Sequence, residues 1–426
     1  MATSPSDPRQ TDRLSNLPDA LLVTILSLLP TRMAARTCVL CRRFRHLGAA
    51  LWETSPSLDL ISQEFSPEEI LASFFEAMGD RALLRRSPSH PLLSLRIELE
   101  MFFRFPPYET KYPFLHSLCD KARSLAVRHL TLEGCLFWST WPSLSLIFST
   151  DSLQSLSLSQ LYVHWHQTSV ISSGVTLINL KNLSIGFYTG DPTKLNLLLS
   201  QLPSLEVLSI GHDTTHPFSI SSQTIRQLKL TICMDSSIQK GVHLSLPSLE
   251  LLHVENYGFG LPHIRADIPS LRKAVLHLNW LHQKDCITVS GLLNSISHAE
   301  ELILHLKESD REMYPFPILL EEGKDPPKFS NLKHLEVTMC FHEHNFEAIV
   351  SLLHHSPALE SVKLVHKAPF SMTRKRKMDG WRSMLPQNAD GNCNYVHFTN
   401  LHLGQQREFM KLVGKKFTPK MVELHC

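Results

Sequence analysis

The stretch Leu249-Glu250-Leu251-Leu252-His253-Val254 places apolar side chains at its first, fourth and sixth positions. The same spacing recurs in eleven units along the chain, and successive units begin 20 to 35 residues apart, with a mean of about 27. This is the period of leucine-rich repeats. The first residues of the units are Leu92, Val127, Leu153, Leu180, Leu205, Ile225, Leu249, Leu271, Ala299, Leu332 and Leu359. The pattern therefore predicts an irregular repeat array.

Each unit predicts one short strand, because successive side chains of a strand point to opposite sides of a sheet. Stacked units are expected to form a solenoid with a parallel sheet on its concave face and helices and loops outside, so the fold class is α/β. The repeat pattern also expects Asn or Cys eight residues after the first apolar position. Cys135, Cys233 and Cys340 stand at that position, which indicates a structural role for these thiols.

The residues between the buried positions are predicted to form a mixed polar, His-rich face. Its outward positions also include Ser155, Ser157, Lys229 and Glu301. Such a face suits recognition of a protein or a peptide better than a small apolar ligand. The residues predicted to contact a target there are His253, Glu255, His277, His305, His334, Glu336 and Lys363.

Helical spacing replaces the repeat near the N-terminus. The first helix carries Leu21, Leu22, Ile25, Leu26 and Leu29. Pro18 and Asp19 suit its first turn, Pro30 stops it, and Thr31 can cap the next helix. Two more short helices are expected from the apolar residues Met33, Val39, Leu40, Phe44, Leu47 and Leu51. Three such helices form a small core, so we expect apolar surface that a partner covers.

The domain organisation follows from these patterns. A mobile N-terminus at 1–11 precedes the small all-α domain at 12–60. A helical bridge at 61–91, with a start signal at Ser66, leads to the solenoid at 92–370. A basic polar loop at 371–394 separates the solenoid from a C-terminal segment at 395–426, where a strand, a helix at 405–413 and a final strand are expected.

Composition excludes several classes of function. The 426 residues carry 42 basic and 40 acidic side chains, a balance that gives no strong field for nucleic acid or membrane surfaces. No secretory signal and no membrane-spanning stretch is recognisable, and the nine cysteines are scattered as in a reducing compartment. We therefore expect a cytoplasmic or nuclear protein. The run Arg374-Lys375-Arg376-Lys377 is either a nuclear localisation signal or, more simply, a solvated loop.

Three close pairs of cysteine or histidine have spacings near those of metal-binding motifs. Cys38 and Cys41 have the spacing of half a zinc site, but no second such pair exists, and the segment is interpreted as a buried helix. The pairs His164/His166 and His342/His344 lack the helical spacing of a zinc motif. No phosphate-binding or nucleophile motif is present, so neither a cofactor, a metal nor a catalytic residue is predicted.

The segment Asp12-Arg13-Leu14-Ser15-Asn16-Leu17-Pro18-Asp19, followed by Leu29-Pro30-Thr31 and Cys41-Arg42-Arg43-Phe44-Arg45, resembles the F-box of plant F-box/leucine-rich-repeat proteins. The resemblance continues through the repeats and ends in a segment that looks like the FBD region of that family. Two departures are visible: Phe44 stands where the family usually has Trp, and 48–51 look like extra residues before Trp52.

The resemblance implies a non-catalytic subunit of an SCF-type ubiquitin ligase. Its F-box would dock on a Skp-type adaptor linked to cullin and RING subunits, and its repeats would hold a protein substrate. The residues implied for docking are Leu17, Pro18, Leu21, Leu22, Ile25, Leu26, Leu29, Pro30, Val39, Leu40 and Phe44. Two alternatives stay open: an interaction scaffold that does not recruit a cullin, suggested by the departures, and a metal-dependent enzyme that uses the histidine pairs.

Overall fold

The computed structural model describes residues 16–61, 86, 90–99, 120–134, 136–138, 147–164, 175–189, 192–213, 218–233, 241–257, 261–279, 286–307, 327–339, 349, 351–366, 395–399 and 421–425. The chain forms two compact units, one of Met1–Leu161 with Ser173–Asn179 and one of Tyr162–Ser172 with Leu180–Cys426. Some predictions fall outside the described residues: the helix from Ser66, the thiols of Cys135 and Cys340, the basic run 374–377 and the helix at 405–413.

Three short helices open the first unit: α1 (Asp19–Ser27), α2 (Thr31–Cys38) and α3 (Arg42–Thr54). Their shared core contains Leu26, Ala34, Cys38 and Leu51, with Phe44 and Trp52 packed against it. A Cβ atom at Gly48 would lie 3.3 Å from Cys38 Sγ, so this glycine permits the close approach of α3 to α2. The helix α3 runs without a break through 48–51, and neither departure from the family pattern interrupts it.

The expected role of Thr31 as a helix cap is wrong. Pro30 is the cap residue of α2, and Thr31 is already the first helical residue. Its buried hydroxyl accepts a hydrogen bond of 2.8 Å from the backbone N–H of Asp59. A buried hydroxyl needs such a partner, and here the bond ties α2 to the first strand.

Arg43 ties α3 to the start of α1. Its guanidinium donates through Nε and Nη2 to Asp19 Oδ1, at 2.9 and 2.6 Å, and through Nη2 to the carbonyl oxygen of Leu17. Pro18 offers no side-chain cap to α1, so Arg43 and Asp19 fix the entry of the chain into this helix.

The first unit continues with parallel strands. They are β1 (Ser57–Ile61), β2 (Ser94–Leu99), β3 (His129–Gly134) and β5 (Ser155–His164), paired in that order, while the short β4 (Leu136–Trp138) also pairs with β5. The last three residues of β5 are assigned to the second unit.

The second unit holds a longer parallel sheet. Its ten strands lie side by side in chain order: β6 (Asn182–Thr189), β7 (Val207–Asp213), β9 (Gln227–Cys233), β11 (Leu251–Asn256), β13 (Lys273–Asn279), β14 (Glu301–Lys307), β15 (His334–Met339), β16 (Ser361–His366), β17 (Tyr395–Thr399) and β18 (Met421–His425). Each repeat thus adds one strand to the sheet, as a stack of supersecondary units requires.

The predicted core positions are buried throughout both units. In each of the eleven sequence repeats all three apolar residues are at most 4% exposed. The strand residues between them are partly or largely exposed, as the alternating burial of β9, β11 and β13 illustrates. The α/β fold class, with a helical N-terminal part and a leucine-rich-repeat parallel sheet, is confirmed.

A second parallel sheet was not predicted. It consists of β8 (Phe218–Ser221), β10 (Val242–Ser245) and β12 (Ile264–Asp267), in the order β12-β10-β8, where helices or loops were expected. The helix α4 (Pro192–Ser200) packs beside β8, and α5 (Cys286–Ser295) packs beside β12. The Asn196 amide of α4 donates to the carbonyl of Ser219 and accepts from the N–H of Ser221, at 3.1 and 2.9 Å. These two bonds provide partners for backbone groups at the edge of β8.

Two residue types fill the polar position eight residues after the first apolar residue of the repeats that form β9 and β13. Cys233 is the last residue of β9 and is partly buried. Asn279 occupies the same slot, eight residues after Leu271, and donates 2.8 Å to the carbonyl of Asn256. The fully buried Asn256 amide returns a bond of 3.1 Å to the carbonyl of Asn279. This reciprocal pair links β11 to β13.

A ladder of alternating charge, which we name the charge ladder, runs along the second unit. Its members directly follow the first apolar position of each repeat and are Lys181, Glu206, Arg226, Glu250, Arg272, Glu300, Lys333 and Glu360. From Glu206 onward each backbone N–H donates to the carbonyl of the previous member. Ion pairs join Lys181 to Glu206, Arg226 to Glu250, and Glu300 to both Arg272 and Lys333.

Glu250→Lys is expected to lower the free energy of unfolding by roughly 1 kcal/mol at low salt, because it places a third positive charge between Arg226 and Arg272. The loss should shrink at about 1 M salt, where exposed charges are screened. Urea unfolding at two salt concentrations measures both values. Glu360→Lys, at the end of the charge ladder, is the matched control with a smaller expected loss. Equal losses at both salt concentrations would contradict this account.

Candidate functional site

The helical part of the first unit exposes large apolar side chains. Leu28 is 80% exposed, Leu40 75%, Val39 66% and Leu21 50%. We name the whole set the apolar surface of the helical module: Leu21, Ile25, Leu28, Leu29, Met33, Val39 and Leu40. Isolated exposed apolar residues are ordinary, whereas seven of them on one small module are a feature that often accompanies partner binding in proteins.

The structure separates the residues predicted for adaptor docking into two groups. Leu22 and Leu26 are 1% and 4% exposed and Phe44 packs against the core, so these three support the module from inside. The exposed group consists of Pro18, Leu21, Ile25, Leu29, Pro30, Val39 and Leu40, with Leu17 half-buried. Leu28 and Met33 share this exposure and were missed, although Leu28 directly precedes the predicted Leu29.

The interpretation of 38–41 as a buried helix is wrong. Cys38 is buried at the end of α2, but Val39 and Leu40 form an exposed turn. Cys41 then caps α3, where its thiol accepts from the N–H of Phe44 at 3.4 Å. The two thiols therefore lie in different surroundings, and burial raises the pKa of Cys38.

The outward residues of the second-unit sheet form rows across neighbouring strands. One row aligns Lys229, His253, Val275 and Ile303, and it continues through Glu336 and Lys363 of the next two strands. The next row aligns Glu255, His277 and His305, and a third contains Lys273, Glu301 and His334. All seven residues predicted to contact a target thus lie on the same open face of this sheet.

Three imidazoles lie in contact on this face. The ring centroids of His253 and His277 are 5.0 Å apart, and those of His277 and His305 are 4.3 Å apart in a stacked arrangement. His253 Nε2 also lies 3.2 Å from Glu255 Oε1, but it lacks the geometry of a hydrogen bond. Glu255 is held instead by Lys229 Nζ at 2.9 Å and by the hydroxyl of Tyr257 at 3.3 Å.

The protonation of this group is shifted by its surroundings. Burial lowers the pKa of His253, which the Glu255 carboxylate offsets only in part. Burial raises the pKa of Glu255, but the hydrogen bond and charge of Lys229, together with His253 and Tyr257, outweigh burial and keep this pKa below its ordinary value. Near neutral pH, His253 is therefore uncharged and Glu255 is ionised.

Glu255→Gln is expected to lower the pKa of His253 further, because it removes the charge that raises that pKa.

In the native chain the pKa of His253 lies below the ordinary value of 6.5 that the unfolded state has. The unfolded state therefore binds more protons, so the His253 contribution to stability is lost as pH falls below 6.5. NMR titration of the His253 ring measures the shift, with Glu301→Gln as control. A rise of the pKa in Glu255→Gln would contradict the assignment.

A shallow cavity of about 430 Å³ extends the open face toward β16. It is lined by Ile303, His334, Glu336, Lys363 and His397, among others. Lys363 Nζ pairs with Glu336 Oε1 at 3.0 Å, and His334 Nδ1 lies 2.8 Å from Ser361 Oγ.

The described residues contain no group of three or more side chains suited to hold a metal ion. His164 ends β5, while His166, His342 and His344 lie outside the described ranges. Within those ranges, no helix combines the length and apolar character needed to span a bilayer.

Comparison with known proteins gives matches in the helical N-terminal part and in the repeats. Residues 14–49 match the F-box domain, and residues 115–269 match a family described as "FBD-associated F-box protein At5g56370, LRR repeats". In Arabidopsis thaliana, the F-box protein At3g44060 is 30% identical over 382 residues, which cover 85% of this chain and 82% of that protein.

Two further relatives from Arabidopsis thaliana carry the FBD region in their names, and one of them also carries the repeats. The FBD-associated F-box protein At5g60610 is 24% identical over 95% of this chain and 97% of its own length. The F-box/FBD/LRR-repeat protein At4g00160 is 28% identical over 83% of this chain and 72% of its own length. This chain therefore belongs to the plant family of F-box/FBD/LRR-repeat proteins.

Proposed function

We propose that this chain is the substrate-recognition subunit of an SCF-type ubiquitin ligase. Its F-box docks on a Skp-type adaptor, which links it to cullin and RING subunits, and its repeats bind a target protein. The observation that carries the proposal is the apolar surface of the helical module, which stays exposed although the three helices already enclose a core of Leu26, Ala34, Cys38 and Leu51.

Burial of this surface supplies the free energy of docking. Covering one exposed leucine contributes about 1.5–3 kcal/mol, so a few such side chains are enough for stable association. In this proposal Leu21, Ile25, Leu29, Val39 and Leu40 contact the adaptor, together with Leu28 and Met33. Leu17, Pro18 and Pro30 flank the contact, while Leu22, Leu26 and Phe44 support it from the core.

The mechanism is one of proximity. A target held by the repeats lies near the conjugating enzyme that the RING subunit brings, so the effective concentration of its lysines rises. This role requires two binding surfaces and no catalytic group. The exposed apolar side chains of the three helices and the open face of the sheet are the two surfaces in this proposal.

Co-expression of the full chain with a Skp-type adaptor, a cullin and a RING subunit tests the proposal. We expect a stable complex that contains all four proteins, and its loss in the double variant Val39→Asp/Leu40→Asp. Both side chains are exposed, so the substitutions should leave the fold intact. Absence of adaptor binding by the native chain, in conditions where another F-box protein binds, would refute the proposal. A complex with adaptor but without cullin would instead support the role of a scaffold.

A further inference from the structure

The centre of the open sheet face in the second unit differs from its surroundings. Two branched aliphatic side chains, Val275 and Ile303, stand side by side on β13 and β14. Three imidazoles border them: His253 lies beside Val275 in the same row, and His277 and His305 stand in the next row. We name these five residues the imidazole patch. All five are partly buried, with their outer surfaces open to solvent.

The formal charges around the imidazole patch are already paired with one another. Lys273 Nζ lies 2.7 Å from Glu301 Oε1 on one side, and Lys229 Nζ lies 2.9 Å from Glu255 Oε1 on the other. Two positive and two negative charges thus cancel within the sheet. An acidic or basic group of a partner would have to compete with these pairs, and it would lose hydration without gaining a matched charge.

The chemistry that the imidazole patch offers is apolar contact and ring stacking. Val275 and Ile303 supply an apolar floor, and imidazole rings stack favourably against another ring. A small apolar patch with a polar border is the usual centre of a protein interface.

The imidazole patch also continues into the cavity toward β16, because Ile303 belongs to both. From β11 to β16 the face spans four strand spacings, or roughly 19 Å. An extended segment of about six residues has this length. The open face therefore fits a short stretch of polypeptide better than a compact small molecule.

Building on the proposed function, we propose that the imidazole patch binds an uncharged segment of the target protein, with an aromatic or branched aliphatic side chain seated over Val275 and Ile303. On one side of this anchor the segment extends along the sheet face past Glu336 and Lys363. Specificity in this site comes from the shape of the anchor side chain and from the pairing of the formal charges beside it, and electrostatic attraction contributes little.

A random twelve-residue peptide library displayed on phage, selected against the purified complex of full chain and adaptor, tests this inference. We expect enriched peptides with an aromatic or branched aliphatic residue and a net charge near zero. Ile303→Asp should weaken binding of a selected peptide at least tenfold, and the milder Val275→Thr should weaken it severalfold with the fold preserved. Ser209→Asp, on β7 in the same row of the open face, is the matched control and should have little effect.

Enrichment of acidic or basic peptides, equal binding by Ile303→Asp and native chain, or no enrichment would each overturn the inference. Adaptor co-purification reports separately on the proposed function. If the native chain fails to bind the adaptor, the same selection is run on the chain alone, so the two failures remain distinct.

Discussion

Leu22→Ala is expected to destabilise the F-box by roughly 2–5 kcal/mol, whereas Leu21→Ala should change its stability by less than about 0.5 kcal/mol. The two leucines are neighbours in α1, but Leu22 is 1% exposed and Leu21 is 50% exposed. Removal of the buried side chain leaves a cavity in a module with few other core residues. Hydrogen exchange of the α1–α3 backbone in the full chain measures the local free energy of opening.

The variants of Leu21 and Leu22 also distinguish an effect on folding from an effect on adaptor binding. Leu21→Ala should weaken adaptor binding about tenfold, since a lost leucine contact costs more than 1.4 kcal/mol. Isothermal titration with purified adaptor measures this loss. A result in which Leu21→Ala opens the helices as readily as Leu22→Ala, or binds adaptor with native affinity, would be inconsistent with the assigned surface.

Asn256→Asp is expected to lower the free energy of unfolding by roughly 3–5 kcal/mol at pH 7. The carboxylate has the shape of the native amide, but it cannot donate to the carbonyl of Asn279 and would be a charge at a site with 0% exposure. Burial raises the pKa of such a carboxyl in the folded state. The loss should therefore be smaller at acidic pH, where the protonated group can donate again.

Urea unfolding of both chains at pH 7 and at about pH 4.5 measures the difference. The matched control is Asn279→Asp, because Asn279 is only partly buried at the end of β13. Its expected loss is smaller and depends less on pH. An Asn256→Asp variant with nearly native stability at pH 7 would contradict the buried, reciprocal arrangement of the two amides.

The main sheet could be predicted from the sequence because its signal is repeated many times. One unit such as Leu249, Leu252 and Val254 is ambiguous, but eleven units at similar spacing require the same buried positions. The outward residues follow from the alternation of a strand, which is why the imidazoles could be assigned to one face. Their stacking and the approach of His253 to Glu255 depend on side-chain orientation, which the spacing of leucines leaves undetermined.

Other features have weak or competing signals. The strands β8, β10 and β12 are only four residues long each, and apolar alternation over so few residues does not distinguish strand from loop. Phe218, Val242 and Ile264 do recur at about the repeat interval, which is the signal that could have found them. In α1, six of the nine residues are apolar and lie all around the helix, so periodicity alone cannot tell the core face from the proposed docking face; they are Ala20, Leu21, Leu22, Val23, Ile25 and Leu26.

The charge ladder also restricts how this array can change length during evolution. Deletion of the single repeat that contains Glu250 would place Arg226 beside Arg272, and duplication of that repeat would place two glutamates side by side. Gain or loss of two adjacent repeats preserves the alternation, so the tolerated unit of change is the pair. Relatives with a different number of repeats in this region are expected to differ by an even number, or to carry compensating charge reversals next to the altered repeat.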